Sequence, residues 1–261
     1  MRRLGFGAMH LTTDPGDARE AAKRVARRAV ELGVTLIDTA RMYGWGANEE
    51  LLVEALYPYP EDLLIATKVG VAPPDPPREA ELCGRPGFLR EQVDQALRRL
   101  RVERLELLQL HRVDPEVPLA DQVGALRELR DAGKIAHIGL SEVSVEQLRE
   151  ARAIVEVASV QNRYNVLDRE HEPVLRACAE AGIAFLPWRP VLPAVSATGA
   201  ITEVAAEVGA TAAQVSLAWL LGHAPVVLPI PGTGSIRHLE ENVAAGALRL
   251  TGEQQERLDR L

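Results

Sequence analysis

The chain has 261 residues, of which 47% are hydrophobic and 26% are charged, values that fit a globular protein and exclude collagen-like, disordered and membrane-spanning classes. Thirty Lys and Arg against 37 Asp and Glu give a net charge of −7, which argues against general binding to nucleic acid or to an anionic membrane. No run approaches the ~18 apolar residues of a membrane span and the first residues do not form a secretory leader, so we expect a cytoplasmic protein.

Cysteine and histidine usage gives no sign of a metal centre. The two cysteines, Cys83 and Cys178, are too few for a disulfide framework or a thiolate zinc site. The six histidines show no i, i+4 pairing on a helix. We therefore expect no metal site and interpret both cysteines as small apolar side chains.

Short runs rich in Val, Ile and Leu alternate along the chain with amphipathic runs rich in Ala, Glu and Arg. This alternation predicts parallel strands that are each followed by a helix. The predicted strands are Leu4–Phe6, Thr35–Asp38, Leu63–Thr67, Leu105–Leu110, His137–Leu140, Ser159–Gln161, Ala184–Pro187 and Val226–Pro229. The predicted helices are Asp17–Glu31, Asn48–Leu56, Leu89–Leu100, Leu119–Ala132, Val145–Ala153, His171–Ala181, Thr211–Leu221 and Ile236–Ala245.

Eight strand–helix units in a chain of this length predict an α/β fold of the (β/α)8 TIM barrel type. No break in composition divides the chain, so we expect one domain over residues 1–261. A doubly wound sheet is the competing architecture, but the early Gly5-x-Gly7 lacks the third glycine of its usual fingerprint. Two insertions, Val69–Gly87 and Trp188–Thr198, follow strands and are expected to lie over the carboxyl ends of the barrel strands.

The polar residues at the predicted strand ends are the natural candidates for a site, because barrels of this type build their active sites there. Asp38 ends the second strand, and Tyr43 follows it by five residues. Lys68 ends the third strand and His111 ends the fourth. These four side chains are therefore expected to meet at one end of the barrel.

A phenol, an ammonium, a carboxylate and an imidazole have a specific chemical use in combination. The ammonium of Lys68 would stabilise the phenolate of Tyr43, and Asp38 would supply the counter-charge that keeps the lysine protonated. A neutral imidazole such as that of His111 can donate a hydrogen bond to a carbonyl oxygen. The set suits general acid catalysis at a carbonyl, with the hydride supplied by a cofactor because no side chain can provide one.

Each of the four residues also has a structural interpretation when it is taken alone. Asp38 could cap a turn, Tyr43 could be a packed loop aromatic, and Lys68 could simply be solvated. His111 could be a hydrogen-bonded core histidine. Their joint occurrence at consecutive strand ends is what favours the catalytic interpretation.

The motifs around these residues resemble those of the aldo-keto reductase family, in the family's order and over essentially the whole chain. They read DTARMYG, ATKVG, LQLHR, HIGLS, VQNRYN and IPGTGSIRHLEENV. The resemblance implies a (β/α)8 barrel of bacterial type with a nicotinamide cofactor bound in extended form, NADPH being favoured and NADH possible. It also implies a catalytic tetrad of Asp38, Tyr43, Lys68 and His111, in which Tyr43 is the general acid.

The same resemblance implies a set of cofactor-binding residues. Ser141 and Gln161 correspond to contacts with the nicotinamide carboxamide, and Trp188 corresponds to an aromatic stacking platform. The remaining residues of the set are Arg189, Val191, Gly232, Thr233, Gly234, Arg237, His238, Glu241 and Asn242, the later ones at a strand–turn–helix that resembles the family's adenosine phosphate site.

Two departures from the family pattern limit these implications. Gly232 and His238, with Arg237 adjacent, stand where many relatives place a lysine and an arginine against the 2′-phosphate of NADPH. Glu142 stands where an asparagine is common beside Ser141. The first departure leaves NADH open as a cofactor, and the second bears on the carboxamide contacts.

Several alternatives were weighed against a working carbonyl reductase. A short-chain dehydrogenase needs Tyr-x-x-x-Lys, which the chain lacks, and a zinc alcohol dehydrogenase lacks its ligands. A cofactor-binding regulatory module, similar to the β-subunits of potassium channels, remains an alternative, as does a pathway-specific reductase of an imine or keto intermediate. We expect a monomer with a small-molecule carbonyl substrate, in which Arg41 or Arg189 could recognise an acidic group.

Overall fold

The computed structural model describes residues 3–74, 79–191 and 199–261. Residues 75–78 of the first predicted insertion and 192–198 of the second lie outside the described residues. In chain order, the strands are β1 (Phe6–Gly7), β2 (Leu36–Asp38), β3 (Leu64–Val69), β4 (Val71–Ala72), β5 (Glu81–Leu82), β6 (Leu105–Leu110), β7 (Ile135–Ser141), β8 (Val157–Gln161) and β9 (Ala184–Phe185).

The helices alternate with these strands, as the hydrophobic pattern predicts. They are α1 (Asp17–Glu31), α2 (Ala47–Leu56), α3 (Pro86–Leu100), α4 (Leu119–Asp131), α5 (Val145–Arg152), α6 (Glu172–Ala181), α7 (Gly199–Val208), α8 (Ala212–His223), α9 (Ile236–Ala244) and α10 (Gly252–Asp259). Helix α1 matches its predicted bounds, α8 differs by one or two residues at each end, and the other predicted helices differ by one to three residues at one end only.

Seven of the strands form one sheet in the order β1-β2-β3-β6-β7-β8-β9, in which every neighbouring pair is parallel. Strands β4 and β5 form a separate antiparallel hairpin beside it. The order follows the chain, as each helix returns the chain to the next strand. This arrangement confirms the predicted (β/α)8 barrel.

The predicted eighth strand, Val226–Pro229, takes its place in the barrel but does not form a regular strand. The amide of Phe185 donates to the carbonyl of Val226 at 2.9 Å on one side, and the amide of Gly5 donates to the carbonyl of Pro229 at 2.9 Å on the other. The prediction of a strand was wrong because Pro229 and the nearby Pro231 have no amide hydrogen to donate to a ladder.

The barrel closes between β1 and this last segment through two facing glycines. Gly7 and Gly232 form an isolated parallel bridge. A Cβ on Gly7 would lie 2.8 Å from the carbonyl oxygen of Ile230, and a Cβ on Gly232 would lie 2.8 Å from the carbonyl oxygen of Gly7. Only glycine fits at either position with the backbones this close.

Apolar side chains fill the space inside and outside the ring of strands. Inside, a buried cluster brings together side chains from five positions around the ring, namely Leu36, Ala66, Leu107, Leu186 and Ile230. Outside, a larger cluster joins the outer faces of β6, β7 and β8 to the helices. Each large apolar side chain buried in this way stabilises the fold by about 1.5–3 kcal/mol, so the strand tips are held on a rigid frame.

Two helices and the hairpin have no counterpart in the sequence prediction. Helix α10 begins with a capping box in which the Thr251 hydroxyl accepts from the Gln254 amide, a signal that was overlooked. Helix α7 begins at the end of the second insertion. In the described ranges no single helix is long and apolar enough to cross a membrane. Helices α7 and α8 reach that length and apolar composition only when they are taken together, with a bend of 92° between them.

Candidate active site

The strand tips place the four predicted catalytic residues around one opening. Asp38 is the last residue of β2, Lys68 lies near the end of β3, and His111 follows β6. Backbone bonds continue the ladder past the strands, with the amide of His111 donating to the carbonyl of Val69 at 2.8 Å. The carboxyl ends of β2, β3 and β6 are therefore level.

Tyr43 reaches the same opening from a short turn between β2 and α2. The turn spans Tyr43–Gly46, where Gly44 and Trp45 adopt left-handed backbone angles with φ of 60° and 54°. Asn48, buried at the start of α2, ties this turn to the barrel by accepting from the Thr39 hydroxyl at 2.7 Å and donating to the carbonyl of Ala8 at 2.9 Å. The phenol is thus held by a fixed loop.

The ammonium of Lys68 joins the other groups. Its Nζ donates to Oδ2 of Asp38 at 2.6 Å, to the carbonyl of Thr39 at 2.8 Å and to Oη of Tyr43 at 3.4 Å. The side chain of Lys68 is fully buried and that of Asp38 is 3% exposed. All three ammonium hydrogens therefore have acceptors, as a buried charge requires.

Burial and neighbouring charges shift the pKa values of Lys68 and Tyr43 in opposite directions. Burial lowers the pKa of Lys68, but the nearby Asp38 and Tyr43 outweigh it, so that the net pKa of the ammonium is raised. Burial raises the pKa of the Tyr43 phenol, against the opposing charge of Lys68. The lysine thus favours the phenolate, as predicted, but the net result in the free protein is a protonated phenol, ready to donate.

His111 is a neutral imidazole in this site. Burial, with the charges of Lys68 and Arg112, lowers the pKa of His111 to about 3. Its ring lies edge-on to that of Tyr43, with 6.1 Å between the ring centroids and an interplanar angle of 88°. A neutral ring can donate a hydrogen bond to an uncharged oxygen that is also within reach of the phenol.

These groups face a cavity of about 540 Å³, the main cavity. Its wall is mostly apolar around the polar floor. Besides Asp38, Tyr43 and His111, it is lined by Gly7, Met9, His10, Met42, Val71, Ala80, Glu81, Leu82, Arg112, Ser141, Gln161, Trp188, Arg189, Pro190, Val191, Ile230, Pro231 and Gly232.

Gln161 and Ser141 also line the main cavity. Nε2 of Gln161 donates to Oδ1 of Asp38 at 2.8 Å and to Oε1 of Gln109 at 3.0 Å, so this side chain also fixes the carboxylate of Asp38. The Ser141 hydroxyl accepts from Nη1 of Arg112 at 3.1 Å. Among the described residues this is the one side-chain bond of Ser141, which leaves its hydrogen able to donate into the cavity.

An adjoining cavity of about 300 Å³ lies at the start of α9. It shares Val191 and Gly232 with the main cavity, so the two cavities are adjacent. Its polar lining is Thr233, His238, Glu241 and Asn242, besides Thr211 and Ser216 of the α8 region. The Ser235 hydroxyl caps α9 by accepting from the amide of His238 at 3.5 Å.

The structure brings the predicted cofactor residues to these two cavities, with two exceptions. Gly234 lines neither cavity. The guanidinium of Arg237 lies at the surface, where it pairs with Glu241 at 2.7 Å and contacts Nε2 of His238 at 2.7 Å. The other ten residues line one cavity or both, and their part in binding stays a prediction.

Two adjacent cavities suit an extended dinucleotide better than a compact ligand. The main cavity offers an indole, a free hydroxyl hydrogen and an amide side chain to a flat polar ring. Gly7 and Gly232 form a floor without side chains, since a Cβ at either would meet the neighbouring backbone. The adjoining cavity lies against the amino end of α9, which attracts anionic groups.

Some residues of the main cavity were missed by the sequence analysis, and some predicted ones lie elsewhere. Arg112, which lines the cavity, was missed. Gln109, which lies outside the lining but accepts from Gln161, was missed as well, although alternation along β6 points it inward. Arg41 does not line the cavity, and its Nε and Nη1 atoms are buried without a partner among the described residues. Arg189 does line it, as predicted.

The comparison with protein-family models identifies the chain. A model described as the aldo/keto reductase family matches residues 3–199 and 193–261. The chain therefore belongs to the aldo/keto reductase family, as its motifs predict. It is an oxidoreductase of a family that uses nicotinamide cofactors to reduce carbonyl compounds.

Individual relatives agree with this assignment. An uncharacterized oxidoreductase of Schizosaccharomyces pombe is 44% identical over 266 residues, which cover 99% of this chain and 86% of the relative. Pyridoxine 4-dehydrogenase of Escherichia coli is 39% identical over 276 residues, which cover 99% of this chain and 94% of the enzyme. A crystal structure of an aldo-keto reductase from Klebsiella pneumoniae in complex with NADPH has a TM-score of 0.84 at 26% identity, with 99% of this chain and 90% of that chain covered.

Proposed function

We propose that the chain reduces an aldehyde or ketone to an alcohol with NADPH, and that Tyr43 donates the proton. The observation that carries the proposal is the buried ammonium of Lys68, which lies 2.6 Å from Asp38 and 3.4 Å from the oxygen of Tyr43, two residues that line the main cavity. This is the charge that a phenol needs beside it in order to act as an acid.

The four side chains divide the work of carbonyl reduction. When bound, the cofactor supplies a hydride to the carbonyl carbon. Tyr43 gives its proton to the carbonyl oxygen, and the ammonium of Lys68 stabilises the phenolate that remains. Asp38 keeps Lys68 charged, and neutral His111 donates a hydrogen bond that holds the carbonyl oxygen near the phenol. The alcohol leaves, and Tyr43 recovers a proton from solvent.

The proposal assigns NADPH to the two cavities together. Ser141, Gln161 and Trp188 would hold the nicotinamide end in the main cavity, with Arg189, Val191 and Gly232 along the connection. The remaining predicted residues would hold the adenosine end at the start of α9, namely Thr233, Gly234, Arg237, His238, Glu241 and Asn242. NADH remains the alternative cofactor, since Arg237 already pairs with Glu241.

The test is the loss of reduced-nicotinamide absorbance with a panel of aromatic aldehydes and diketones. In Tyr43→Phe we expect turnover to fall by about 10²–10⁴-fold, the usual contribution of a general acid. The affinity for NADPH, measured by titration, should stay the same because the ring remains. Tyr57→Phe, at a half-exposed tyrosine outside the cavity, is the matched control.

The outcome separates the proposal from its alternatives. Near wild-type reduction by Tyr43→Phe would show that another group is the acid. Tight NADPH binding without turnover on any substrate of the panel would favour a regulatory module or a pathway-specific reductase of an imine or keto intermediate.

A second candidate is the interconversion of pyridoxine and its aldehyde. It is favoured by the E. coli relative, which is 39% identical over nearly the whole chain and is named pyridoxine 4-dehydrogenase. The same site would run in both directions, with the Tyr43 phenolate accepting the alcohol proton in the oxidation. Pyridoxal with NADPH, and pyridoxine with NADP+, should then exceed the simple aldehydes of the panel in kcat/KM.

The proposal includes the setting in which the chain acts. It assigns a cytoplasmic monomer, with one domain over residues 1–261 and a small-molecule substrate. Light scattering of the purified protein tests the monomer, and a stable dimer would contradict it.

A further inference from the structure

Glu142 makes contacts that the proposed mechanism does not use. It follows β7 directly and adopts a left-handed backbone angle, with φ of 55°. Its amide donates to the carbonyl of Gln161 at 3.0 Å. Its Oε1 accepts from the amide of Arg163 at 2.7 Å and from the indole Nε1 of Trp188 at 2.5 Å. One carboxylate oxygen thus links β7, the segment after β8 and the residue that lines the main cavity.

The hydrogen bonds of the Glu142 side chain account for its left-handed backbone conformation. A residue with a side chain adopts this conformation at some cost, and it persists where the surroundings hold it. Here the carboxylate is directed to two N–H donors, and its side chain is only 21% exposed. Bonds of this kind between a carboxylate and N–H groups are stronger than those between neutral groups.

Trp188 depends on this carboxylate for its orientation. Its backbone is held by two bonds, one to the carbonyl of Asn162 at 3.2 Å and one from the amide of Tyr164 at 3.4 Å. These bonds place the Cα but leave the ring free to turn about its side-chain torsions. Within the described part of the chain, the bond to Glu142 is the one hydrogen bond of the indole.

The positive charge of Arg189 lies over the ring of Trp188. The guanidinium of Arg189 lies 5.6 Å from the centre of the Trp188 ring. A carboxylate on the indole N–H makes the ring more electron-rich, which strengthens its attraction for a cation. Trp188 thus has the carboxylate of Glu142 at its N–H edge and the guanidinium of Arg189 over its ring.

We infer that Glu142 is a positioning residue that sets the plane of Trp188 and thereby the affinity of the site for the nicotinamide end of the cofactor. This inference rests on the proposed function, because it uses the assignment of NADPH to the main cavity. Glu142 acts through the indole ring. Removing the carboxylate should therefore weaken NADPH binding only when Trp188 is present.

The hydrogen bond itself can be tested without a cofactor. The chain has three tryptophans, so an indole ¹H–¹⁵N spectrum should show three side-chain signals. Trp219 is an internal control because its Nε1 donates to Oδ1 of Asp259 at 2.8 Å. Glu142→Ala should move the Trp188 signal upfield and leave the Trp219 signal in place. An unmoved Trp188 signal would overturn the inference at its first step.

The consequence for binding can be tested by calorimetric titration with NADPH in the absence of substrate. We expect Glu142→Ala to raise Kd about tenfold, the scale of a lost aromatic contact. Trp188→Phe should raise it to a similar extent, and the double variant should be less than about twofold weaker than Trp188→Phe alone. Glu142→Gln, which keeps an acceptor oxygen, should retain most of the affinity. Glu146→Ala, at an exposed carboxylate on α5, is the charge-matched control.

The outcomes distinguish failure of the inference from failure of the proposed function. Wild-type protein that does not bind NADPH would overturn both. Normal binding by Glu142→Ala, or losses that multiply in the double variant, would overturn the positioning role and leave the reductase proposal intact. If Glu142→Ala does not fold, Glu142→Gln still tests the hydrogen bond: its weaker neutral acceptor should move the Trp188 indole signal part of the way upfield, and an unmoved signal would overturn the inference.

Discussion

The main cavity and the adjoining cavity are neighbours built in opposite ways. Beside the main cavity, Asp38 of its lining forms an ion pair with Lys68, with side chains 3% and 0% exposed. At the rim of the adjoining cavity, Arg237 and Glu241 form an ion pair of similar length, with side chains 73% and 28% exposed. One pair belongs to the barrel interior and the other to a helix surface.

The difference decides what each pair can contribute. A charge that is buried without its partner is strongly unfavourable, so the two groups of the main cavity depend on one another for folding as well as for chemistry. An exposed pair is screened by water and contributes little to stability, so its members are free to exchange partners. The chemistry therefore lies on the rigid frame, and the adaptable contacts lie at the helix end.

The largest effect is expected from breaking the buried pair. Lys68→Met leaves Asp38 as an uncompensated buried charge, which should lower the free energy of unfolding by about 3–5 kcal/mol. Reduction should collapse as well, because the pKa of Tyr43 would rise further without the ammonium. Urea denaturation followed by circular dichroism measures the first effect, and NADPH consumption measures the second.

An exposed Lys–Asp pair of the same length separates the effect of burial on stability from the effect of the distance between the charges. Nζ of Lys134 lies 2.6 Å from Oδ1 of Asp94, the same distance as in the buried pair, but these side chains are 41% and 39% exposed. Lys134→Met should cost at most about 1 kcal/mol. Adding Asp38→Asn to Lys68→Met should recover part of the stability. Equal losses in Lys68→Met and Lys134→Met would contradict the comparison.

A smaller effect is expected from acidification. Burial, Lys68 and Arg112 lower the pKa of His111 to about 3, below its ordinary value of about 6.5. The unfolded chain therefore takes up a proton at this residue before the folded chain does. The stability due to neutral His111 is complete above about pH 6.5 and is lost as the pH falls from there towards 3.

Thermal melting from pH 8 to pH 4 measures this dependence. His111→Gln, which cannot take up the proton, should show a shallower loss of Tm on acidification than the wild type. His137→Gln, at an exposed histidine of β7, should follow the wild-type curve. A wild-type curve parallel to that of His111→Gln would show that His111 does not contribute in this way.

The smallest effect is expected at the exposed pair. Arg237→Ala should change the free energy of unfolding by less than about 0.5 kcal/mol, as is usual for exposed i, i+4 pairs. The preference for NADPH over NADH should fall by less than about tenfold, because the guanidinium already shares its hydrogen bonds with Glu241 and His238. Titration with both cofactors measures the preference, and its complete loss would show that Arg237 carries the recognition alone.

Local patterns were sufficient to predict most of the barrel. Helix α1 and strand β6 coincide with their predicted bounds because amphipathic and alternating patterns are local signals. The rule that active sites lie at strand ends predicted that Asp38, Tyr43, Lys68 and His111 meet, and the structure places them around one opening, while their catalytic roles stay a prediction. The prediction of the eighth strand failed because its prolines interrupt the backbone hydrogen bonds of a strand that hydrophobicity alone predicts.

The contacts that link distant parts of the chain could not be predicted. Gln161 bonds to Asp38 across 123 positions of sequence, and no local pattern identifies that partner. Glu142 was noticed only as a departure from a family pattern, whereas its bond to Trp188 depends on a left-handed turn that glutamate rarely adopts. Side-chain partners of this kind can be identified only in the folded barrel.

The contact of Gly7 with Gly232 restricts how the protein can be redesigned. Both residues lie where the first strand meets the last segment of the barrel, and any larger residue would force the two backbones apart. Engineering of cofactor choice therefore has to leave this contact unchanged and to use the residues from Thr233 onward, of which Thr233, His238 and Glu241 line the adjoining cavity. A library that randomises position 232 together with the positions that follow it would consist mainly of misfolded variants.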